Sequence, residues 1–197
     1  MQKTYPSFQS RWMIQMNEKK VKVYTIFPAS NIAIYNGVTI LHYILGGLGI
    51  ILGYHFLTYG FLLGLIYLIF AFSQMYIIMP LFVCPNCVYY RLKDSVCPSG
   101  MNLVSKKIAK EGNQKNFAKR SGGLFSHNKL YMGALIIPIV AVIPALVLNF
   151  SIILVGIFVG LVVLMALRMV VIFNKVACVH CAAKHTCPNA KAMGLEK

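Results

Sequence analysis

Four stretches of this chain, at about 38–58, 60–83, 131–149 and 152–173, are apolar almost throughout. Each is near the roughly 20 residues that a helix needs to cross a hydrocarbon core of about 30 Å. Inside such a core every backbone polar group must be paired within its own segment, so the stretches are expected to be helices. Composition agrees: 58% of residues are hydrophobic, 12% are charged and the mean hydropathy is +0.70. A soluble domain carries roughly twice that share of charge.

Nineteen Lys and Arg face only four acids, a net charge of +15. In a membrane chain this balance speaks first of topology, and no nucleic-acid partner is expected from it. The hairpin tips Leu57-Thr58-Tyr59-Gly60 and Asn149-Phe150-Ser151 carry no charge. Two tight tips joining four spans put the N-terminus, the central loop and the C-terminus on one side, and the basic residues there mark that side as cytoplasmic. The expected location is the cell (inner) membrane, multi-pass, with both termini inside. Met1-Gln2-Lys3-Thr4-Tyr5-Pro6 lacks the apolar core of a signal peptide.

All six cysteines fall in two clusters, each directly after the second span of a hairpin: Cys84-Pro85-Asn86-Cys87 with Cys97-Pro98, and Cys178-Val179-His180-Cys181 with Cys187-Pro188. Tyr35-Asn36-Gly37 lies 49 residues before Cys84, and Tyr131-Met132-Gly133 lies 47 before Cys178. Gln74 and Arg168 each stand ten residues before their cluster. The expected fold is therefore an all-α membrane protein: four transmembrane helices as two parallel-duplicated helical hairpins, each followed by a cytoplasmic cysteine cluster. The pseudo-two-fold would lie along the membrane normal. The units are 1–36, a basic interfacial segment with Trp12, Tyr24 and Phe27; 37–101, the first hairpin and cluster; 102–130, a basic amphipathic linker; and 131–197, the second hairpin and cluster.

In a reducing compartment such thiols bind metal or do chemistry more often than they form structural disulfides. Cys-x-x-Cys closes a turn that can give two thiolates to one centre, and Cys-Pro recurs after the last ligand of iron–sulfur motifs. Candidate ligands are Cys84, Cys87, Cys97, Cys178, Cys181 and Cys187, with His185 or Asp94 completing a three-cysteine site. The spacing allows each half its own cluster, or Cys84, Cys87, Cys178 and Cys181 one shared four-sulfur site. Zinc as Cys₃His, through His180 or His185, is the alternative cofactor. It suits the second half better, because the first cluster holds no histidine.

The leading expectation for function is a membrane-integral electron-transfer subunit, linking a soluble redox protein to a membrane carrier or another subunit of a membrane complex. A zinc-stabilised structural or assembly subunit and a membrane thiol–disulfide oxidoreductase are the alternatives. Lys106, Lys107, Lys110, Lys115, Lys119 and Arg120 would meet anionic membrane lipids or an acidic soluble partner. Arg168 inside a span is a functional candidate by default, as compensation for a thiolate-bound cluster or as a quinone contact. Gln74 mirrors it, and His42 is a third cofactor-facing candidate. His42 and His55 are thirteen residues apart, roughly 20 Å along a helix, and the other spans offer no histidine partner for a haem. With four acids in the chain, paired-carboxylate catalysis is excluded as a working hypothesis.

Overall fold

The computed structural model describes residues 22–55, 57, 59–121 and 126–195, so Trp12 lies outside the described residues. Four of its helices are long and apolar enough to cross a membrane. The first, α1, is Ala29–Gly53. The second begins as α2, Gly60–Ser73, widens into a π-helix at Gln74–Val83 and tightens into a 3₁₀ turn at Cys84–Asn86. Short helices α3, Val88–Arg91, and α4, Met101–Ile108, follow. The third long helix is α5, His127–Leu148, which runs through Pro138 and Pro144. The fourth repeats the pattern of the second: α6, Ile152–Leu167, a π-helix at Arg168–Ala177 and a 3₁₀ turn at Cys178–His180. The short α7, Pro188–Ala192, closes the described chain.

The first helix starts earlier than the hydropathy suggests, directly after Pro28, and ends at Gly53, which leaves His55 in the tip. The two tips meet, with Asn149 Nδ2 3.1 Å from His55 Nδ1, so the hairpins lie side by side and point the same way. Large apolar side chains such as Leu62, Ile66, Ile69, Val159, Val163 and Val170 face outward. That is the arrangement expected when hydrocarbon, not water, covers the surface.

Helix α1 packs against the other three long helices, and its glycines are spread over its faces for that reason. A Cβ on Gly46 would meet the Pro138 ring at 2.7 Å, one on Gly47 Leu68, and one on Gly49 Ile157 and Val142 at 3.0 Å. Close approach replaces hydrophobic driving force between helices in lipid. At Gly53 a Cβ would lie 2.5 Å from that of Ala145. Gly53→Val should push α1 from α5 and cost about 1–3 kcal/mol, read as a lower melting temperature in detergent.

Within 102–130 the described residues form the rest of α4, a 3₁₀ stretch at Gln114–Ser121 and the start of the third long helix, and Phe117 turns inward and is buried. Tyr24 and Phe27, expected at headgroup depth, instead pack into the cysteine loops. Tyr24 pairs with Cys181 and Ile26 with Val96 in isolated parallel bridges, with no longer strand among the described residues. Phe27 is buried with Tyr89 and Cys97.

Candidate metal centre

Each Cys-x-x-Cys is a tight turn at the foot of a π-helix. Cys87 N–H donates to Cys84 O at 3.0 Å, and Cys181 N–H to Cys178 O at 3.2 Å. The ten residues of π-helix above each turn exceed the single-turn bulges that are usual, and π segments gather at functional sites. The two Cys-Pro turns then differ. In the first, Gly100 adopts φ +73° and Asn102 ties the loop, accepting from Cys97 N–H at 3.0 Å and donating to Ser95 O at 2.7 Å. In the second, Pro188 opens α7 directly. The longer first spacer is occupied by α3 and a turn in which Asp94 takes φ 51°, a conformation that Asp tolerates better than most residues.

These turns bring the six thiols to one place. Cys84, Cys87, Cys97, Cys178, Cys181 and Cys187 all line a single cavity of about 140 Å³, and all six are present as thiols rather than disulfides. The volume is several times the roughly 30 Å³ share of one water molecule. Burial pushes the Cys181 thiol up, and the neighbouring thiols of Cys87, Cys178 and Cys187 push it further. Thiols from both halves therefore lie close to Cys181. Among the described residues no three His, Cys, Asp or Glu side chains are gathered tightly enough for one metal ion.

Asp94 and His185 are exposed and do not line this cavity. His180 is also turned away, its Nδ1 2.7 Å from Lys22 O and its ring against Tyr24. The histidine on the cavity wall is His127, at the start of α5, stacked on Tyr131. Sequence reasoning missed it, since it belongs to neither cluster; its place four residues before Tyr131, one turn along the helix, was the available signal.

Tyr89 holds the two loops together. Its hydroxyl donates to Tyr24 O at 2.5 Å and accepts from Ala182 N–H at 3.0 Å. The ring thus joins the first loop, the N-terminal segment and the second loop. Burial and the nearby Cys181 and Cys97 push its phenol up, so it remains a donor across the working pH range. Tyr89→Phe should leave two backbone groups unpaired, at about 1–3 kcal/mol each. We expect a fall in melting temperature of about 4–24 °C and faster proteolysis within 22–28.

Behind the cavity lies Arg168, fully buried. Its Nη1 donates to Thr39 Oγ1 at 2.6 Å, and its guanidinium faces the rings of Tyr35, Tyr131 and Phe173 at 4.8, 5.0 and 5.4 Å. All three rings also line the thiol cavity. Nε and Nη2 have no hydrogen-bond partner among the described residues, and the ion pair found there, Arg91 with Glu111, is elsewhere. A charge buried without a counter-ion costs several kcal/mol, of which cation–π contacts return about 0.5–2 kcal/mol each.

Gln74, the other residue opening a π-helix, donates to Tyr43 Oη at 2.7 Å, one turn along α1 from Thr39. His42 bonds Leu135 O at 3.0 Å and acts as a bundle residue there. Of the basic set, Lys106 reaches Leu92 O at 2.8 Å and anchors α4. Lys107, Lys110, Lys115 and Lys119 are exposed, and the side chain of Arg120 lies outside the described residues.

Compared with known proteins, the chain matches no family, no curated protein and no solved structure.

Proposed function

We propose that the six-thiol cavity holds an iron–sulfur cluster, and that the chain is the membrane-integral electron-transfer subunit of a redox complex. The single observation that carries this reading is that two cysteine clusters 94 positions apart (Cys84 to Cys178) converge on one cavity. The donor set is all sulfur, which suits iron–sulfur and zinc alike. A single zinc ion draws four sulfurs to within about 2.3 Å of itself, tighter than any group found among the described residues. A polynuclear cluster spaces its ligands more widely and fills more volume. Cys87, Cys178, Cys181 and Cys187 are the first choice of ligands, because all four line the cavity and the other three lie near enough to Cys181 to raise its thiol. A bound cluster would supply a one-electron store.

The protein's own residues do the rest. Tyr35, Tyr131 and Phe173 close the cavity toward the membrane, and Arg168 behind them offers positive charge to a negative occupant. Tyr89 and the 22–28 segment hold the loops in register. The thiol–oxidoreductase reading is weaker here, because burial raises the Cys181 thiol, whereas exchange requires an exposed thiolate.

The two halves are read as duplicated hairpins. Support comes from the shared order of α-helix, π-helix and 3₁₀ turn, with Gln74 and Arg168 each opening the π segment. In each half the residue two past the last cysteine is tied to the first helix by an asparagine, Ser99 O by Asn36 at 3.1 Å and Asn189 Oδ1 by Asn128 at 2.7 Å, although the two asparagines stand at different places relative to Tyr35 and Tyr131. The cavity end is read as cytoplasmic from the basic residues around it, with Lys107, Lys110, Lys115 and Lys119 as the docking face for an acidic soluble redox protein. Anaerobic purification followed by iron, sulfide and zinc analysis and EPR tests the reading. Iron with acid-labile sulfide and a reducible signal supports it; zinc without iron ends it.

A further inference from the structure

A second chamber of about 410 Å³ lies against the thiol cavity. Val83, Phe117 and His127 line both and form the partition between them. The same Cys-x-x-Cys turn serves the two spaces: Cys84 and Cys87 line the thiol side, while Asn86 lines the other. The chamber is amphiphilic. Ile78 and Phe82, from the π-helix, form its apolar end, and the Phe82 ring is largely exposed on the outer surface of that helix. Asn86, Asn116, Lys119 and Ser126 form its polar end. Ser126 is 8% exposed, and its buried hydroxyl has no hydrogen-bond partner among the described residues. Such a group costs about 1–3 kcal/mol unless something binds it. The volume falls within the roughly 300–1,000 Å³ usual for small-molecule sites.

The geometry points to this chamber as the binding site for the head ring of a lipid-soluble quinone, the membrane carrier that exchanges electrons with the thiol cavity. The inference rests on the electron-transfer reading above and names its partner. A quinone ring is flat and apolar, with carbonyl oxygens at opposite edges and an isoprenoid tail. Phe82 and Phe117 offer aromatic faces to the ring. The Ser126 hydroxyl, the Asn116 amide and the Lys119 ammonium are donors of the type its carbonyls accept. The tail leaves past Ile78 and Phe82 into lipid. A phospholipid headgroup is the rival occupant. It is disfavoured because Lys119 is the single cation on these walls among the described residues, whereas anionic headgroups are held by clusters of basic residues. Val83, Phe117 and His127 form the partition between the ring and the thiol side.

Photolabelling of the anaerobically purified, full-length protein in phosphatidylcholine nanodiscs tests this. The probe is an azido-benzoquinone with a two-unit isoprenoid tail, mapped by mass spectrometry, with iron measured on the same sample. Label is expected on 78–86 or 116–127, competed by unlabelled quinone and not by phosphatidylglycerol. Ser126→Leu, which fills the polar end, should cut labelling about tenfold, equivalent to about 1.4 kcal/mol, without changing iron content. Label confined to other helices, or competed equally by phosphatidylglycerol, overturns the quinone site while the cluster reading stands on its iron. Label at the chamber in protein without iron keeps the binding site and ends the electron-transfer reading. The competition arm uses the wild-type protein, so the test does not depend on the variant folding.

Discussion

Cys87→Ser and Cys181→Ser are each expected to remove essentially all the iron from the anaerobically purified protein. The two residues come from opposite halves of the chain, yet both line the same cavity and their thiols sense each other. If they ligate one shared cluster, either substitution breaks it. Even residues that only orient a metal's ligands commonly change affinity by about 10–100-fold, so loss of a direct ligand should exceed tenfold. Two separate clusters would give a different result: each variant would then keep about half the iron, and only the double variant would lose it all. Equal abundance of wild type and variants, with unchanged iron in both variants, would remove the cavity from consideration as a metal site. Serine keeps the shape of the side chain but is a much poorer soft-metal ligand, so a fall in iron at constant helix content reports ligation rather than unfolding.

Arg168→Met should separate the charge of Arg168 from its packing. With a negatively charged cluster in the cavity, the guanidinium favours the reduced state, and its removal lowers the midpoint potential. For a separation on the order of 10 Å and an effective dielectric near 20, the interaction is about 1.7 kcal/mol. That is roughly 70 mV for a one-electron couple. Arg168→Lys retains the charge but gives up the flat stack on Tyr35, Tyr131 and Phe173, so its potential should stay nearer the wild type. The cofactor-free protein gives the opposite reading. There the buried charge lacks a counter-ion, and replacing it with an apolar side chain of similar length should be neutral or stabilising. A Met variant that destabilises the cofactor-free protein as much as the loaded one would mark Arg168 as a packing residue. Redox titration followed by EPR, alongside thermal unfolding of both forms, distinguishes these outcomes.

The hydropathy pattern was legible because lipid imposes a simple rule on spanning segments, and the four long helices follow it. Boundaries were less legible. The first helix starts nine residues earlier than its apolar run, at Ala29, because Tyr35, Asn36 and Thr39 are satisfied by Ser99 and Arg168 rather than by water. The thiols were legible as candidate ligands, and Arg168 as an anomaly inside a span. His127, Phe117 and Tyr89 were not. Each looks ordinary in its local sequence, and each matters only through what the fold brings against it. His185 and Asp94 stood out by their spacing, but neither side chain lines the cavity.

By itself the sequence determined that four apolar segments had to be helices, since unpaired backbone cannot be tolerated in hydrocarbon, and that each cysteine turn had to sit at a helix foot. The tertiary structure alone decided that the two turns share one cavity and that a lone arginine lies behind it. Local patterns specify a segment's own hydrogen bonds. Which sulfurs, rings and charges meet depends on how the glycine faces of α1 set the distances between helices, and no stretch of sequence contains that distance.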